Sequence, residues 1–107
     1  MASSKEFLSF VLGQLSDLEG VSSRAMMGEY VLYCRGRVIG GVYDDRLLLK
    51  SAPGALRALE EAGLSPQYDL PYPGAKEMLV APVDEPELLC RVAAAVADEA
   101  GTAKKRG

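Results

Sequence analysis

The stretch Arg24–Lys50, RAMMGEYVLYCRGRVIGGVYDDRLLLK, contains the pattern that decides the fold. Valine, tyrosine, leucine and isoleucine form short runs there, which are broken by Gly28, by residues 35–37 and by Asp44-Asp45. Short β-forming runs separated by a few turn residues are typical of antiparallel hairpins. Gly28 and Glu29 indicate a break or bulge inside the first run. We therefore predict three strands, at residues 23–34, 37–43 and 46–50.

Apolar residues at three- and four-residue spacing predict a helix before this stretch and two after it. Each predicted helix begins at a residue that can cap its first turn. These residues are Ser3 (with Glu6), Ser51 and Asp84. The expected helices cover residues 4–19, residues 52–62, and the segment from Asp84 to about Ala100.

Between the second and third helices, the segment 64–76, LSPQYDLPYPGAK, is rich in proline and glycine. It predicts an irregular passage with a short strand near Tyr68–Tyr72, and EMLVAP at 77–82 predicts a last strand. The order is α-β(3)-α-β(2)-α, which indicates an α+β, two-layer antiparallel sheet with helices. We expect one domain at residues 1–100, followed by a disordered basic tail at 101–107.

Both faces of the middle strands are apolar. In YVLYC (residues 30–34) and RLLLK (46–50), consecutive apolar side chains point to opposite faces of the sheet. The first and third helices can cover one face. The other must meet the second helix, the proline-rich passage or a second subunit, and an uncovered patch there would be an interaction surface.

The charge balance disfavours nucleic acid as a partner. Residues 1–103 hold nine basic and fifteen acidic residues, a net charge of −6, whereas the whole chain has −3 because residues 104–106 are basic. Binding through phosphates needs the opposite balance. The sequence also lacks a secretory signal and an apolar run long enough to cross a membrane, so a cytoplasmic location is expected.

The side chains of most catalytic centres are missing. The chain has no histidine, which excludes Ser-His-Asp and Cys-His arrangements and histidine-ligated zinc. Cys34 and Cys90 lie too far apart in sequence for a C-x-x-C motif and are interpreted as small buried hydrophobes. Asp44-Asp45 is interpreted as a turn, although it could also be half of a metal or acid–base pair. We predict no catalytic residue, no metal site and no cofactor.

The remaining polar and aromatic residues form a candidate interaction or ligand set. Arg24 and Lys50 lie near strand ends, where acidic side chains can pair with them. In an acidic protein we interpret the tyrosines as rings that pack on the sheet with their hydroxyl groups in water, rather than as rings that stack on nucleic-acid bases. The predicted set is Arg24, Glu29, Tyr33, Asp45, Lys50, Tyr72 and Lys76.

These residues carry a family resemblance. RAMMGEYVLYCRGRVIGGVYDDRLLLK resembles the N-terminal domain of TfoX/Sxy-type competence regulators, with a pattern near R-x-M-F-G-G-x-G-L-Y and a later D-x-L-Y-L-K. PYPGAKEM at 71–78 is similar to the family's P-Y-x-x-x-x-x-M passage. Met27 replaces the family's phenylalanine, and Glu29 replaces a glycine. The positions that match are Arg24, Met26, Gly28, Leu32, Tyr33, Gly36, Asp45, Leu47, Leu49 and Lys50.

The resemblance implies a fold similar to that of secretion chaperones and a regulatory or protein-binding role. The competence regulators carry a further C-terminal domain, which we do not expect in this protein. We therefore expect a non-catalytic module that binds a protein partner. A second copy of the chain can be that partner, in a homodimer formed through the second sheet face. Two alternatives stay open. One is a small-ligand or enzymatic cleft that uses Arg24, Tyr33, Asp45, Lys50 and Tyr72. The other is weak DNA association through residues 104–106.

Overall fold

The computed structural model describes the backbone of residues 4–106 and the side chains of residues 4–99. The helices are α1 (Lys5–Gln14), α2 (Pro53–Glu61) and α3 (Pro86–Arg106). The strands are β1 (Val21–Met26), β2 (Glu29–Cys34), β3 (Arg37–Tyr43), β4 (Arg46–Leu49), β5 (Tyr68–Asp69) and β6 (Met78–Val80). The basic tail predicted at 101–107 falls where no side chain is described, and it stays a prediction.

The α+β class with an antiparallel sheet is confirmed, but the predicted count of three strands before α2 is wrong. The run expected as one strand at 23–34 forms β1 and β2, which gives the order α-β(4)-α-β(2)-α. Met27 and Gly28 connect these strands, and both have a positive φ, 51° and 87°. Two such residues make the tight turn whose twist matches a hairpin. The break expected near Gly28 is therefore a complete reversal of the chain.

All six strands form one sheet in the order β1-β2-β3-β4-β6-β5, with every neighbouring pair antiparallel. The β3–β4 turn consists of Asp44 and Asp45, with φ of 52° and 58°. The interpretation of this acidic pair as a turn is confirmed. Aspartate tolerates the left-handed region because its short side chain can bond to the local backbone.

A β-bulge in β3 changes which residues face the helices. The pairing with β2 runs from Leu32 opposite Gly40 to Tyr33 opposite Val38, so Ile39 is an extra residue. Ile39 is fully buried in the core. Because side chains alternate between faces, one inserted residue keeps both Ile39 and Val42 on the helix side.

One hydrophobic cluster joins the three helices to one face of the sheet. It includes Val11 of α1, Ala55 of α2 and Leu89 of α3, together with buried strand residues. The strand residues of this cluster are Leu32, Cys34, Ile39, Val42, Leu47, Leu49 and Leu79. The helices therefore form one layer and the sheet the other, and we call the sheet face opposite the helices the outer face.

The helix caps differ from those predicted. Ser3 lies outside the described residues, and Ser4 caps α1 by accepting a hydrogen bond from the Phe7 N–H at 3.1 Å. Ser51 does not cap α2, whose N-cap is Ala52 without a side-chain hydrogen bond. The spacing of residues in the local sequence does not indicate Ser4 or Ala52 as the N-cap.

Glu99 of α3 supplies the missing interaction at the start of α2. Its Oε2 accepts a hydrogen bond from the Gly54 N–H at 2.8 Å, and a carboxylate there also suits the helix dipole. We expect Glu99→Ala to lower the free energy of unfolding by about 1 kcal/mol, the usual value of a lost cap. Urea denaturation measures this. Glu60→Ala, at an exposed position of α2, should change the stability little, and equal effects of the two variants would contradict the assignment.

Candidate functional site

The outer face is the part of the sheet that the helices leave uncovered. Strand register places its members, because residues directly opposite each other share a face. On β1 and β2 these are Ser22, Arg24, Met26, Glu29, Val31 and Tyr33, and on the remaining strands Val38, Gly41, Tyr43, Arg46, Leu48, Asp69, Met78 and Val80. The face is thus apolar at its centre, as the two-sided strand pattern predicts.

The proline-rich passage is attached to one half of this face by Arg46. The guanidinium donates to the Asp69 carboxylate at 2.5 Å, to the Leu70 carbonyl at 3.0 Å and to the Pro71 carbonyl at 3.5 Å. Its Nε also donates to the Tyr43 carbonyl at 3.1 Å. The planar donor fork of arginine suits such a cluster of acceptors. One side chain of β4 therefore connects the sheet to the segment after β5.

Arg46 also sets the acidity of Asp69. Its hydrogen bond, with a second one from the Leu70 N–H at 2.7 Å, lowers the pKa of the Asp69 carboxyl. A lowered folded-state pKa stabilises the fold above the ordinary carboxyl pKa, and this contribution disappears as the pH falls through the folded-state value.

We expect Arg46→Met to raise the pKa of Asp69 towards its ordinary value and to weaken the acid dependence of stability from this pair. Carbon-detected NMR titration of the Asp69 carboxyl measures the change. Arg57→Met, on the exposed side of α2, should leave that pKa where it is. An unchanged Asp69 pKa in Arg46→Met would contradict the contact.

Tyr43 covers the centre of the half of the outer face to which Arg46 attaches the proline-rich passage. A Cβ built on Gly41 would lie 2.9 Å from Cε2 and Cζ of Tyr43, so the ring lies over this glycine. Burial raises the pKa of the Tyr43 hydroxyl, and Tyr72 and Glu29 nearby raise it further. Leu48, opposite Gly41 in register, is 0% exposed although it lies outside the main core cluster. The outer face is therefore covered around Leu48.

An open groove of about 390 Å³ runs between the passage and the strand ends. We call it the proline-side groove. Glu29 Oε1 accepts a hydrogen bond from the Asp44 N–H at 3.1 Å within it. The residues that line it are Glu29, Asp44, Arg46, Leu70, Pro71, Tyr72 and Pro73.

A second open groove, of about 350 Å³, lies on the other half of the sheet. We call it the β1–β2 groove, and Ser22, Ser23, Arg24, Tyr33 and Gly36 line it. Ser22 is directly opposite Tyr33 in the β1–β2 register. The groove thus offers a guanidinium, hydroxyls and one aromatic ring.

The predicted candidate residues are divided between these two places. Arg24 and Tyr33 line the β1–β2 groove, whereas Glu29 and Tyr72 line the proline-side groove. Of the residues expected to form one cleft, Tyr72 therefore lines a different groove from Arg24 and Tyr33.

The other three candidates line neither groove. Asp45 Oδ1 accepts a hydrogen bond from the Ser4 N–H at 2.8 Å, which ties the start of α1 to the β3–β4 turn. Lys50 and Lys76 are exposed. Sequence reasoning missed Arg46 and Asp69, because nothing in the sequence shows that residues 23 positions apart would pair.

Cys34 is fully buried, and its Sγ lies 3.6 Å from the Glu19 carbonyl. Burial raises the pKa of the half-buried Cys90 thiol. Over the described residues, no three His, Cys, Asp or Glu side chains converge in a way that could hold a metal ion. None of the helices, within the same residues, is long and apolar enough to cross a membrane.

Comparison with known proteins assigns the family. The family model of the TfoX N-terminal domain matches residues 13–78. This chain belongs to the TfoX N-terminal domain family. It is also 36% identical over 81 residues to a Spirochaeta aurantia protein described as "Uncharacterized 12.7 kDa protein in trpE 5'region", which covers 76% of this chain and 67% of that protein. The resemblance read from the sequence is confirmed, and all residues that line the two grooves lie within the matched segment of this TfoX N-terminal domain.

Proposed function

We propose that this TfoX N-terminal domain is a non-catalytic, regulatory module that binds another protein through the β1–β3 half of the outer face. The observation that carries the proposal is the unequal cover of this face. Arg46 fixes the proline-rich passage near β4, where Leu48 is fully buried. Val31, Tyr33 and Val38 on β2 and β3 stay partly exposed.

The composition of this half suits a protein partner. Val31, Tyr33 and Val38 form an apolar centre, with Met26, 51% exposed, and Arg24 at its margin. Tyrosine and arginine are enriched among the residues that dominate binding energy, and methionine is enriched in interfaces. A cytoplasmic location and a role in competence regulation belong to this proposal as its wider setting.

An outer-face variant tests the proposal. The immobilised domain is used to capture proteins from lysate of the host, and captured proteins are quantified by mass spectrometry. Val31→Glu/Val38→Glu places two carboxylates at the apolar centre, and we expect it to lose the specific partner, with Tyr33→Ala weakening capture about tenfold. Circular dichroism verifies that each variant is folded.

Leu64→Glu is the matched control, because Leu64 is also a partly exposed apolar residue, at 38%, but follows α2. It should capture the same partner as the unmodified domain. Equal capture by the control and by the outer-face variants would overturn the proposed surface. The small-ligand alternative would be favoured instead by a small molecule that raises the melting temperature of the domain. Substitutions in the proline-side groove should then abolish that rise.

A further inference from the structure

The free edge of β1 is a second feature of this fold. β1 is the end strand of the sheet, and within residues 4–106 it pairs only with β2. Its residues 22–26 are all exposed. A six-residue edge strand without proline presents a row of unpaired backbone groups, which is a template for pairing with another strand.

The backbone groups that face this open edge follow from the hairpin. Met26 and Glu29 flank the two-residue turn and so form a hydrogen-bonded pair. Hydrogen-bonded and non-hydrogen-bonded pairs alternate along an antiparallel ladder. The N–H and C=O groups of Arg24 and Ser22 therefore face β2, and those of Val21, Ser23 and Ala25 face outwards.

The opposite edge of the sheet is protected in the ways that natural sheets use. β5 has only two residues, Tyr68 and Asp69. Prolines at 66, 71 and 73 flank it on both sides, and proline cannot donate to a ladder. The contrast between a protected edge and a bare one singles out β1.

We propose that the β1 edge pairs with β1 of a second copy of this chain. Two identical antiparallel strands must join through their outward-facing residues, so the pairs combine Val21, Ser23 and Ala25. Placing Ser23 opposite Ser23 of the second copy, and Val21 opposite Ala25, uses all three residues on both strands. This register makes six hydrogen bonds by the ladder rule.

Arg24 is the single charge of the strand, so this register is favoured over the one that places Arg24 opposite itself. It places Arg24 opposite Ser22 of the second copy, where the guanidinium can donate to a hydroxyl. A shift that brought Arg24 opposite itself would set like charges directly across the ladder, which destabilises a pair. The same register lays Met26, 51% exposed, beside Gly20 of the second copy.

We expect the pairing of the two β1 edges to be weak, because the contact between them is small. Five paired residues span about 17 Å, and we expect so short a contact to bury less than the roughly 1,200 Å² of a stable interface. We expect a dissociation constant on the order of 100 µM. The two-fold axis lies perpendicular to the sheet, so both outer faces lie on one side and the two β1–β2 grooves adjoin. Neither the pairing nor this adjacency of the grooves rests on the proposed function.

Sedimentation equilibrium of the full chain between about 10 µM and 1 mM tests the pairing, with concentration-dependent dimer as the expected result. Ser23→Pro removes the two central N–H donors while leaving the β1–β2 ladder intact, because that N–H points outwards. We expect it to weaken association at least tenfold. Ser23→Ala keeps the N–H and should dimerise like the unmodified chain.

The outcomes separate this pairing from the proposed protein partner. A monomer throughout the range overturns the pairing, as does a dimer that Ser23→Pro leaves unchanged while Val31→Glu/Val38→Glu abolishes it. Loss of partner capture with dimerisation intact would instead overturn the proposed function alone. Amide NMR spectra of Ser23→Pro confirm that β2 keeps its native shifts, so that misfolding is not mistaken for lost pairing.

Discussion

Replacing Gly40 with alanine is expected to lower the free energy of unfolding by about 4 kcal/mol, a combination of overpacking and backbone strain. Gly40 lies at the bulge of β3 with a φ of 159°. A Cβ there would come within 2.1 Å of the Leu48 carbonyl oxygen and 2.7 Å of the Leu49 Cα. Both atoms belong to the backbone of β4, so the two strands would have to separate.

Two other glycines provide matched controls for this change. Gly36→Ala meets no atom within 4 Å at a φ of 82° and should cost only the strain of that conformation, about 1 kcal/mol. Gly13→Ala, in α1 and also without a neighbour within 4 Å, should stabilise by up to about 1 kcal/mol. Guanidinium denaturation orders the three variants. A Gly40→Ala cost no larger than that of Gly36→Ala would contradict the close approach of β3 and β4.

The hairpins show what local sequence can and cannot predict. Asp44-Asp45 was predictable as a turn because its side chains favour that backbone conformation wherever it occurs. Met27 carries no such preference, so the β1–β2 turn appeared only as a break near Gly28. Met26 and Met27 are apolar residues of this hairpin, yet their side chains are 51% and 97% exposed. Residue type indicates apolarity, but only the sheet order shows that, within residues 4–106, β1 pairs with β2 alone.

The candidate site depended on contacts that sequence spacing does not encode. Arg46 bonds to Asp69 and to the carbonyls after it, and Glu99 reaches the start of α2 from 45 residues away. Both interactions arise only once the helix layer and the passage are packed. The apolar alternation of β2 and β4, in contrast, correctly indicated a second apolar face, because the period of a strand is set by its own backbone.

Leu48→Ala is expected to cost about 3 kcal/mol, as for a fully buried leucine. Leu48 is 0% exposed, yet it points away from the helices, so its burial depends entirely on what covers the outer face. Val80→Ala, opposite Leu48 on the same face but 38% exposed, should cost below about 1 kcal/mol. Urea denaturation of the two variants measures the difference, and equal costs would mean that Leu48 is not enclosed.

A double-mutant cycle identifies the cover. If the passage that Arg46 holds encloses Leu48, then Arg46→Ala already loosens that enclosure, and Leu48→Ala costs less in its presence. We expect a coupling free energy of about 1 kcal/mol between the two positions. Additive effects would assign the enclosure to the Tyr43 ring over Gly41 instead. Coupling would show that one arginine both fixes the proline-rich passage and closes the β4 half of the outer face, leaving the β1–β3 half as the exposed surface for a partner.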